Sequence, residues 1–356
     1  MIEVSRNGFP PQVNLDQTRQ LNVGVLGYGY WGPKLVRNFR DLPESKLAMV
    51  AELRPDRIQE CNKLYPEVCV TRDYHDLFTD DVDAVVIATP VYTHYKFAKE
   101  ALLAGKHVLV EKPITSNSQQ AEELIQIAED NNLTLMVGHT FEYNPAVEAV
   151  HEVIQTGELG QVYYLDAARV NLGLLQPDIN VMWDLGPHDI SLICYILNAT
   201  PIKVSARGGS YINKSKTLHE VVYMVITFDN DVIANIRLSW LDPVKQRRLT
   251  VVGSQKMLVY DDIADDKVII YDKGVEVKPY SVTEEEFHAS YRHGEETVYP
   301  LQWREPLQQE CQHFLDAIQV GKPARSDGRS GLRVLRVLET AQRSLLNGGE
   351  ELTIHY

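Results

Sequence analysis

The chain lacks the features that mark secreted, membrane-spanning and zinc-dependent proteins. It has four cysteines in 356 residues and none form a C-x-x-C pair, so disulfide frameworks and zinc fingers are disfavoured and buried, reduced thiols are predicted. No apolar run reaches the roughly 18 residues of a transmembrane helix. The first twenty residues lack the basic start and apolar core of a secretory signal. These absences predict a cytoplasmic protein.

Positive charge is also scarce. Lysine and arginine number 35 against 49 aspartates and glutamates, a net charge of −14. So acidic a chain is poorly suited to bind nucleic acid or an anionic membrane. The 44% hydrophobic and 24% charged content is typical of a globular protein. At about 150 residues per domain, the length predicts two domains that need neither disulfides nor structural metals.

Short apolar runs alternate with amphipathic segments from residue 21 to about residue 140. The runs are rich in β-branched residues, as is typical of parallel strands buried on both faces; they span 23–26, 47–51, 84–88, 108–110 and 134–137. The helical patterns between them span 33–39, 57–64, 95–103 and 118–129. This alternation predicts an α/β fold with a doubly wound parallel sheet.

The pattern changes after about residue 143. A helix at 145–155 is followed by longer segments with partial alternation, at 162–170, 202–211, 220–228, 232–240, 248–252 and 267–271. Helical patterns return at 189–197, 306–318 and 330–346. The second half is therefore predicted to be a largely antiparallel sheet with one face open or covered by helices.

These patterns predict three regions. Residues 1–20 form a polar N-terminal arm, residues 21–142 a dinucleotide-binding domain, and residues 143–356 a domain for substrate binding and oligomerisation. Because an open sheet leaves one face to be covered, a homodimer or homotetramer built through that face is expected.

A G-x-G-x-x-G motif follows the first predicted strand and opens the first predicted helix. Its glycines are Gly27, Gly29 and Gly32, with Tyr30 and Trp31 before the last. The first glycine permits a tight turn, the second lets the backbone approach a pyrophosphate, and the third allows close packing of helix on strand. The helix N-terminus attracts the negative charge. The motif predicts a dinucleotide site.

An acidic residue points to the form of the cofactor. Glu52 ends the second predicted strand, twenty residues after the last glycine, where a carboxylate accepts hydrogen bonds from the adenosine ribose. It would repel a 2′-phosphate, which favours NAD over NADP. Arg54 and Arg57 are near enough in sequence to bind such a phosphate, so NADP stays an alternative.

Lys112 is the first catalytic candidate. It stands at the carboxyl end of a buried strand, where open α/β sheets bind their ligands. Partial burial and a cationic nicotinamide both disfavour the charged form of a lysine and make it a usable base. The alternative is a lysine that extends to solvent.

Asp184 and His188 form the second candidate. Their spacing of four places them on one face if the segment is helical, with Pro187 near the first turn. Histidine titrates near neutral pH and suits proton transfer with a hydroxyl, and Asp184 would orient the imidazole or the substrate. The alternative is a structural histidine at a helix start.

The sequence contains no motif for metal-dependent, serine-hydrolase or P-loop chemistry. The histidines at 139, 151, 288, 293 and 313 show no ligand-like clustering, so no metal is expected. No G-x-S-x-G elbow and no Walker loop is present. Hydride transfer is the chemistry that the motifs favour.

Together the motifs resemble the Gfo/Idh/MocA family of nicotinamide-dependent sugar oxidoreductases. The matching elements are 27–32, Thr89-Pro90 with His94, 104–108 running into Glu111-Lys112-Pro113, Asp184 with His188, and the helices of 305–346. The resemblance spans residues 21–356. It implies an N-terminal Rossmann domain and a C-terminal α/β domain with an open sheet.

The resemblance also implies roles for individual residues. Lys112 would be the catalytic lysine, and Asp184 and His188 the family's Asp/His pair. The implied cofactor contacts beyond the glycine motif and Glu52 are Thr89, Pro90, His94, Glu111 and Lys112.

Within the family, the run 138–145 resembles enzymes that act on nucleotide-linked sugars, such as C3 dehydrogenases of UDP-N-acetylhexosamines or their uronates. The implied substrate contacts are Lys112, Tyr143, Asn144, Arg169, Asn171, Asp184 and His188. Arg169 is a candidate partner for a diphosphate because its guanidinium pairs well with phosphate oxygens; an outward strand arginine is the alternative. Two other readings stay open: an NADPH-dependent 3-ketosugar reductase, and a non-catalytic NAD(P)-binding sensor.

Overall fold

The structure is a computed structural model that describes residues 19–213, 217–277 and 289–356. The predicted N-terminal arm lies outside the described residues except for its last two positions. The first domain is a parallel sheet of six strands in the order β3-β2-β1-β4-β5-β6. The strands are β1 (Leu21–Leu26), β2 (Ser45–Ala51), β3 (Cys69–Thr71), β4 (Ala84–Ile87), β5 (His107–Glu111) and β6 (Leu135–Gly138).

Four α-helices cover this sheet: α1 (Gly32–Asp41), α2 (Pro55–Leu64), α3 (Val91–Leu103) and α4 (Ser118–Asp130). Proline stands in the first turn of α1 and begins α2, where its missing N–H is not needed. The side chain of Asn117 caps α4 by accepting from the amide of Gln120. The predicted doubly wound parallel sheet is confirmed. The three-residue strand β3 was not predicted because its apolar run is too short to show a period.

The second domain is a mixed sheet of nine strands in the order β14-β13-β12-β11-β7-β10-β9-β8-β15. All described neighbours are antiparallel except β7 and β10. The strands are β7 (Val162–Leu172), β8 (Pro201–Gly209), β9 (Val221–Phe228), β10 (Ile233–Ser239), β11 (Leu241–Gly253), β12 (Met257–Asp261), β13 (Val268–Val277), β14 (Ala289–Val298) and β15 (Leu352–Thr353). The predicted largely antiparallel sheet is confirmed.

Helices cover one face of this sheet. They are α5 (Pro145–Gln155), α6 (Val181–Leu197) and α8 (Gly328–Leu346), which share an apolar core with the inward side chains of the strands. On β10, Ala234, Ile236 and Leu238 point into that core, whereas Ile233 alternates to the other face and is exposed. The opposite face carries exposed Tyr164, Tyr223, Val225 and Ile233 on adjacent strands.

Helix α6 begins eight residues before its predicted start. Asn180 caps it by accepting from the amides of Met182 and Trp183, so Pro187 lies inside the helix and not near its first turn. The prediction failed because an internal proline is normally read as a helix start.

The C-terminal helices join the two domains. Helix α7 (Pro306–Val320) packs Leu307, Cys311 and Phe314 into the core of the first domain, with Phe314 at 6.4 Å from the ring of Phe39. Helix α8 contributes Leu335 to the first domain and Val334, Val337, Leu338, Ala341 and Leu345 to the second. The chain after residue 142 is therefore shared between both cores, which helix periodicity alone does not reveal.

Candidate active site

The glycine motif forms the turn between β1 and α1. Gly27 has φ +98°, and a Cβ there would lie 2.8 Å from the carbonyl oxygen of Ala88. A Cβ on Gly32 would lie 2.2 Å from the carbonyl oxygen of Gly27. Only glycine fits either position. The strand and the helix can therefore approach each other as closely as a pyrophosphate-binding turn requires.

A groove of about 640 Å³ runs along this turn. Its lining includes seven of the predicted cofactor contacts, namely Gly27, Gly29, Tyr30, Trp31, Glu52, Thr89 and Pro90. The groove is also lined by residues with no predicted role there, including Arg72 and Tyr74. Its place at the carboxyl ends of β1, β2 and β4 fits a dinucleotide.

Glu52 is held firmly in this groove. Its carboxylate accepts from the backbone amides of Tyr28 at 2.7 Å, Leu53 at 2.9 Å and Arg54 at 3.0 Å. The guanidinium of Arg54 adds contacts of 3.3 Å to both carboxylate oxygens. Burial alone would raise the pKa of Glu52, but the hydrogen bonds from Arg54 and the backbone outweigh it and lower the pKa. Glu52 is therefore ionised, and Arg54 offsets part of its charge.

The structure places His94 outside the groove. It is buried on α3, and its two ring nitrogens lie 2.9 Å from the carbonyl oxygen of Pro113 and 2.8 Å from that of Thr89. His94 thus joins the two loops that follow β4 and β5. Through these two contacts His94 positions Thr89 and Pro113, and its predicted role at the cofactor stays a prediction.

A second cleft, of about 410 Å³, lies between the domains, and Trp31 lines both it and the groove. We call it the inter-domain cleft. Among the predicted site residues it contains Glu111, Lys112, Asn144, Arg169, Asn171 and His188. The end of β5 and helix α6 are far apart in the sequence. They therefore meet only in the folded protein, at this cavity.

Lys112 lies at the end of β5 in this cleft. Its Nζ donates to the backbone carbonyl oxygen of Asp184 at 3.0 Å. Burial lowers the pKa of Lys112, opposed by the charges of Asp184 and Glu111. The lysine does not extend to solvent, because its ammonium is tethered to α6. Glu111 beside it is also shielded from water, which raises its pKa to about 7.

His188 faces the same cleft from α6. Its ring meets that of Phe141 edge-on at 5.2 Å between centroids, and its Nδ1 has no hydrogen-bond partner among the described residues. Burial, followed by the charges of Lys112 and Arg169, lowers the pKa of His188 well below its usual value. The imidazole is therefore neutral at pH 7 and has a free nitrogen.

Asp184 is turned away from His188. One carboxylate oxygen accepts from the indole Nε1 of Trp240 at 3.2 Å. The side chain lines an adjoining pocket that also reaches Lys112. The expected bond that would orient the imidazole is absent between these described residues, and Asp184 acts on the cleft through Lys112.

Arg169 lines the inter-domain cleft and is paired inside the protein. It is only 5% exposed, and its guanidinium forms a two-point pair with Asp189, at 2.7 Å and 3.1 Å. It also stacks on Phe141 at 4.3 Å. The outward-facing alternative is wrong, and Asp189 already compensates the charge that a diphosphate would need.

Two further substrate candidates differ in their placement. Tyr143 is buried in the core of the first domain, with its hydroxyl 2.9 Å from Oγ of Ser326, and it does not line the cleft. Asn144 does line the cleft, although its Oδ1 is occupied in capping α5 through the amide of Ala146.

Several residues of the cleft were not predicted as site residues, among them Phe141, Lys245, Arg247 and Trp303. The basic run at 245–248 in so acidic a chain was the available signal. Nothing local marked Trp303, which lies in the loop between β14 and α7.

Neither a metal centre nor a membrane span is found in the described parts of the chain. Within 19–213, 217–277 and 289–356, no group of three histidine, cysteine, aspartate or glutamate side chains is placed to hold a metal ion. His288 lies outside these residues. Over the same ranges, no helix has the length and apolar character needed to cross a bilayer.

A glycine-turn groove that meets a cleft containing a lysine and a histidine defines a nicotinamide-dependent oxidoreductase, and family comparison agrees. Residues 21–139 match the NAD-binding Rossmann domain of the GFO/IDH/MocA oxidoreductase family, and residues 147–259 match a C-terminal domain of that family. Together the matches cover more than half of the chain. The chain belongs to the GFO/IDH/MocA family and is an NAD(P)-binding oxidoreductase.

One relative is a dehydrogenase of a nucleotide-linked sugar, and its structure has been solved. The UDP-N-acetylglucosamine 3-dehydrogenase of Acidithiobacillus ferrooxidans is 29% identical over 88% of this chain and 94% of its own length. Its solved structure covers 92% of this chain and 98% of that one, with a TM-score of 0.77 and 26% identity.

Two further similarities are more distant. The myo-inositol 2-dehydrogenase of Thermotoga maritima is 22% identical over 91% of this chain and 96% of its own. GenD2 from gentamicin A biosynthesis, solved with NAD, shares the fold at a TM-score of 0.78 and 23% identity, covering 95% of this chain and 97% of that one.

Proposed function

We propose that the protein oxidises a ring hydroxyl, at C3, of a nucleotide-linked sugar such as a UDP-N-acetylhexosamine, with NAD as the cofactor. The observation that carries the proposal is the meeting of Lys112 and His188 in a cleft that adjoins the dinucleotide groove through Trp31. The 3-dehydrogenase relative named above supports the choice of hydroxyl and sugar.

The glycine turn fits a dinucleotide because side chains at Gly27 and Gly32 would clash with nearby backbone carbonyls and disrupt the turn. The glycine turn and the N-terminus of α1 would hold the pyrophosphate, and Glu52 with the Thr89-Pro90 loop would flank the rest. Bound there, NAD supplies the acceptor for the hydride that leaves the sugar carbon. The residues of the chain handle the proton.

His188 is the group that we expect to take the proton from the hydroxyl. A neutral imidazole that lines the cleft can accept a proton directly, whereas Lys112 must first lose its own proton. The nearby cations disfavour an imidazolium in the empty cleft. An anionic substrate offsets those charges and thereby raises the pKa of His188, so its basicity increases when the substrate is present.

Lys112 holds the hydroxyl and relays the proton. Its bond to the carbonyl of Asp184 fixes the ammonium beside α6, within the same cleft as His188. Asp184 would favour the charged lysine and help to orient the sugar. These roles are distinct, because the lysine acts as a donor and the histidine as an acceptor.

NAD is proposed over NADP because Glu52 is ionised and would repel a 2′-phosphate. A second candidate function is an NADPH-dependent 3-ketosugar reductase. It is supported by Arg54 and Arg72, which both line the groove near Glu52 and would suit a 2′-phosphate there. The two proposals differ in cofactor and in direction.

The test is a turnover screen of UDP-sugars with NAD and NADP, read by absorbance of the reduced cofactor. Oxidation of a UDP-N-acetylhexosamine with NAD, with the 3-keto product identified by mass after trapping, is expected. Turnover only when NADPH and a keto-sugar are supplied would favour the reductase. No turnover of any sugar in either direction would refute the proposed function.

A further inference from the structure

The outer wall of the inter-domain cleft is continuous from His188 to the protein surface. The ring of Phe141 lies between His188 and the guanidinium of Arg247, at 5.2 Å and 5.9 Å. Arg247 pairs with Asp262 at 3.1 Å, and Lys267 donates to the carbonyl oxygen of the same residue at 2.8 Å. The wall therefore leads outward from the proposed reacting hydroxyl.

Trp303 stands at the end of this wall. It lines the cleft, and Lys267 lies 5.4 Å from the centre of its ring. The side chain is 55% exposed. An indole held at a cleft edge with this much exposed surface is a platform on which a planar base can stack, and every nucleobase has such a face.

The charges between Trp303 and His188 suit a phosphate. Lys245 is exposed in the cleft and has no hydrogen-bond or ion-pair partner among the described residues. Arg247 is partly exposed and uses Nη1 for Asp262, which leaves its other nitrogens available. In a chain of net charge −14, two such cations in one cavity favour an anion at that point.

We propose that Trp303, Arg247 and Lys245 form a nucleoside-diphosphate subsite. The base stacks on Trp303, the diphosphate binds Arg247 and Lys245, and the sugar reaches Lys112 and His188. This inference rests on the proposed function for the sugar end, but it assigns the diphosphate to residues other than Arg169, whose guanidinium is tied to Asp189.

Binding of UDP alone to the full-length protein, in the presence of NAD, tests the subsite without any turnover. Isothermal titration should show saturable binding that weakens as salt is raised, because the contact is charge-dependent. Trp303→Ala should weaken UDP about tenfold or more, while Trp303→Phe, which keeps an aromatic face, should stay within about threefold of the parent.

The charged residues are tested in parallel. Arg247→Ala and Lys245→Ala should each weaken UDP about tenfold, since each removes a charge-assisted bond to phosphate. Arg329→Ala is the matched control: Arg329 also pairs with one carboxylate, Glu129, but on the first turn of α8 and outside the cleft. Circular dichroism and melting curves exclude misfolding, and Arg247→Lys provides a second, milder variant.

Failure of the subsite and failure of the proposed function are distinguishable. If UDP does not bind, or if Trp303→Ala and Arg247→Ala both bind it like the parent, the subsite is refuted even where sugars are oxidised. If UDP binds with the expected variant pattern while no UDP-sugar is oxidised, the subsite stands and the proposed chemistry is wrong.

Discussion

Replacement of His188 by asparagine removes the imidazole base and keeps a polar side chain of similar reach. Because Nδ1 of His188 has no partner among the described residues, few folding contacts are lost. The loss of a proton acceptor should reduce kcat/KM by about 10²- to 10⁴-fold, which is roughly 2.7–5.4 kcal/mol of transition-state stabilisation. NAD affinity should be unchanged, because His188 lines the inter-domain cleft and not the groove.

The pH profile gives an independent readout. Burial and neighbouring cations lower the pKa of His188, so kcat/KM of the parent should rise with pH only below the usual histidine range and be flat around neutrality. Lys112 is one of the charges that lower this pKa. The Lys112→Met variant should turn over slowly, because it lacks the group that holds the hydroxyl. The acidic limb of its residual activity should also move to higher pH, because the pKa of His188 rises when the charge of Lys112 is removed.

The assay is initial-rate kinetics across pH with a UDP-N-acetylhexosamine and NAD, alongside cofactor titration. His355→Asn, the same change at an exposed position near the C-terminus, serves as the control and should keep parental rates. Near-parental turnover by His188→Asn would refute the role of the base. So would an acidic limb that stays in place in Lys112→Met.

The remaining expectations concern the cofactor, stability and assembly. Glu52→Ala should weaken NAD about tenfold and reduce its advantage over NADP, since the carboxylate also holds the amide of Tyr28; equal affinity of the parent for both cofactors would contradict the ribose assignment. Burial raises the pKa of Glu142 to about 8, so the folded state holds a proton there that the unfolded chain has lost, and stability falls as pH rises from about 4.5 towards 8. Glu142→Gln should therefore melt about 2–4 °C or more above the parent at pH 8 and show little gain at pH 5 in calorimetry; an equal gain at both would exclude titration as the cause. The exposed sheet face should pair two chains, so light scattering should give a dimer or tetramer and Ile233→Asp should dissociate it; a parent that is monomeric at micromolar concentration would refute this interface.

The local parts of the fold could be read from the sequence. Continuous β-branched runs gave the buried parallel strands, and the glycine spacing located a turn that only glycine can form. The start of α6 was missed because the cap of Asn180 outweighs the internal proline. Strand β12 was missed because it has only five residues, and β14 because its largely exposed, polar sequence shows no apolar alternation.

The site was predictable where a strand or helix end fixes a side chain. Lys112 and His188 share a cleft as expected from their positions at β5 and α6. The contacts of Arg169, Tyr143 and His94 could not be predicted, because each depends on a partner from another element: Asp189, Ser326 and the Pro113 carbonyl.

Helix α8 buries Leu335 against the first domain and Val334 and Leu338 against the second. Its Glu339 accepts from the amide and hydroxyl of Ser118 on α4, while Gln342 accepts from Asn180 at the start of α6. Rotation of one domain against the other would have to separate these apolar and polar contacts together. We therefore expect the domains to rotate little when ligands bind, so that little binding energy is consumed in bringing the walls of the cleft together.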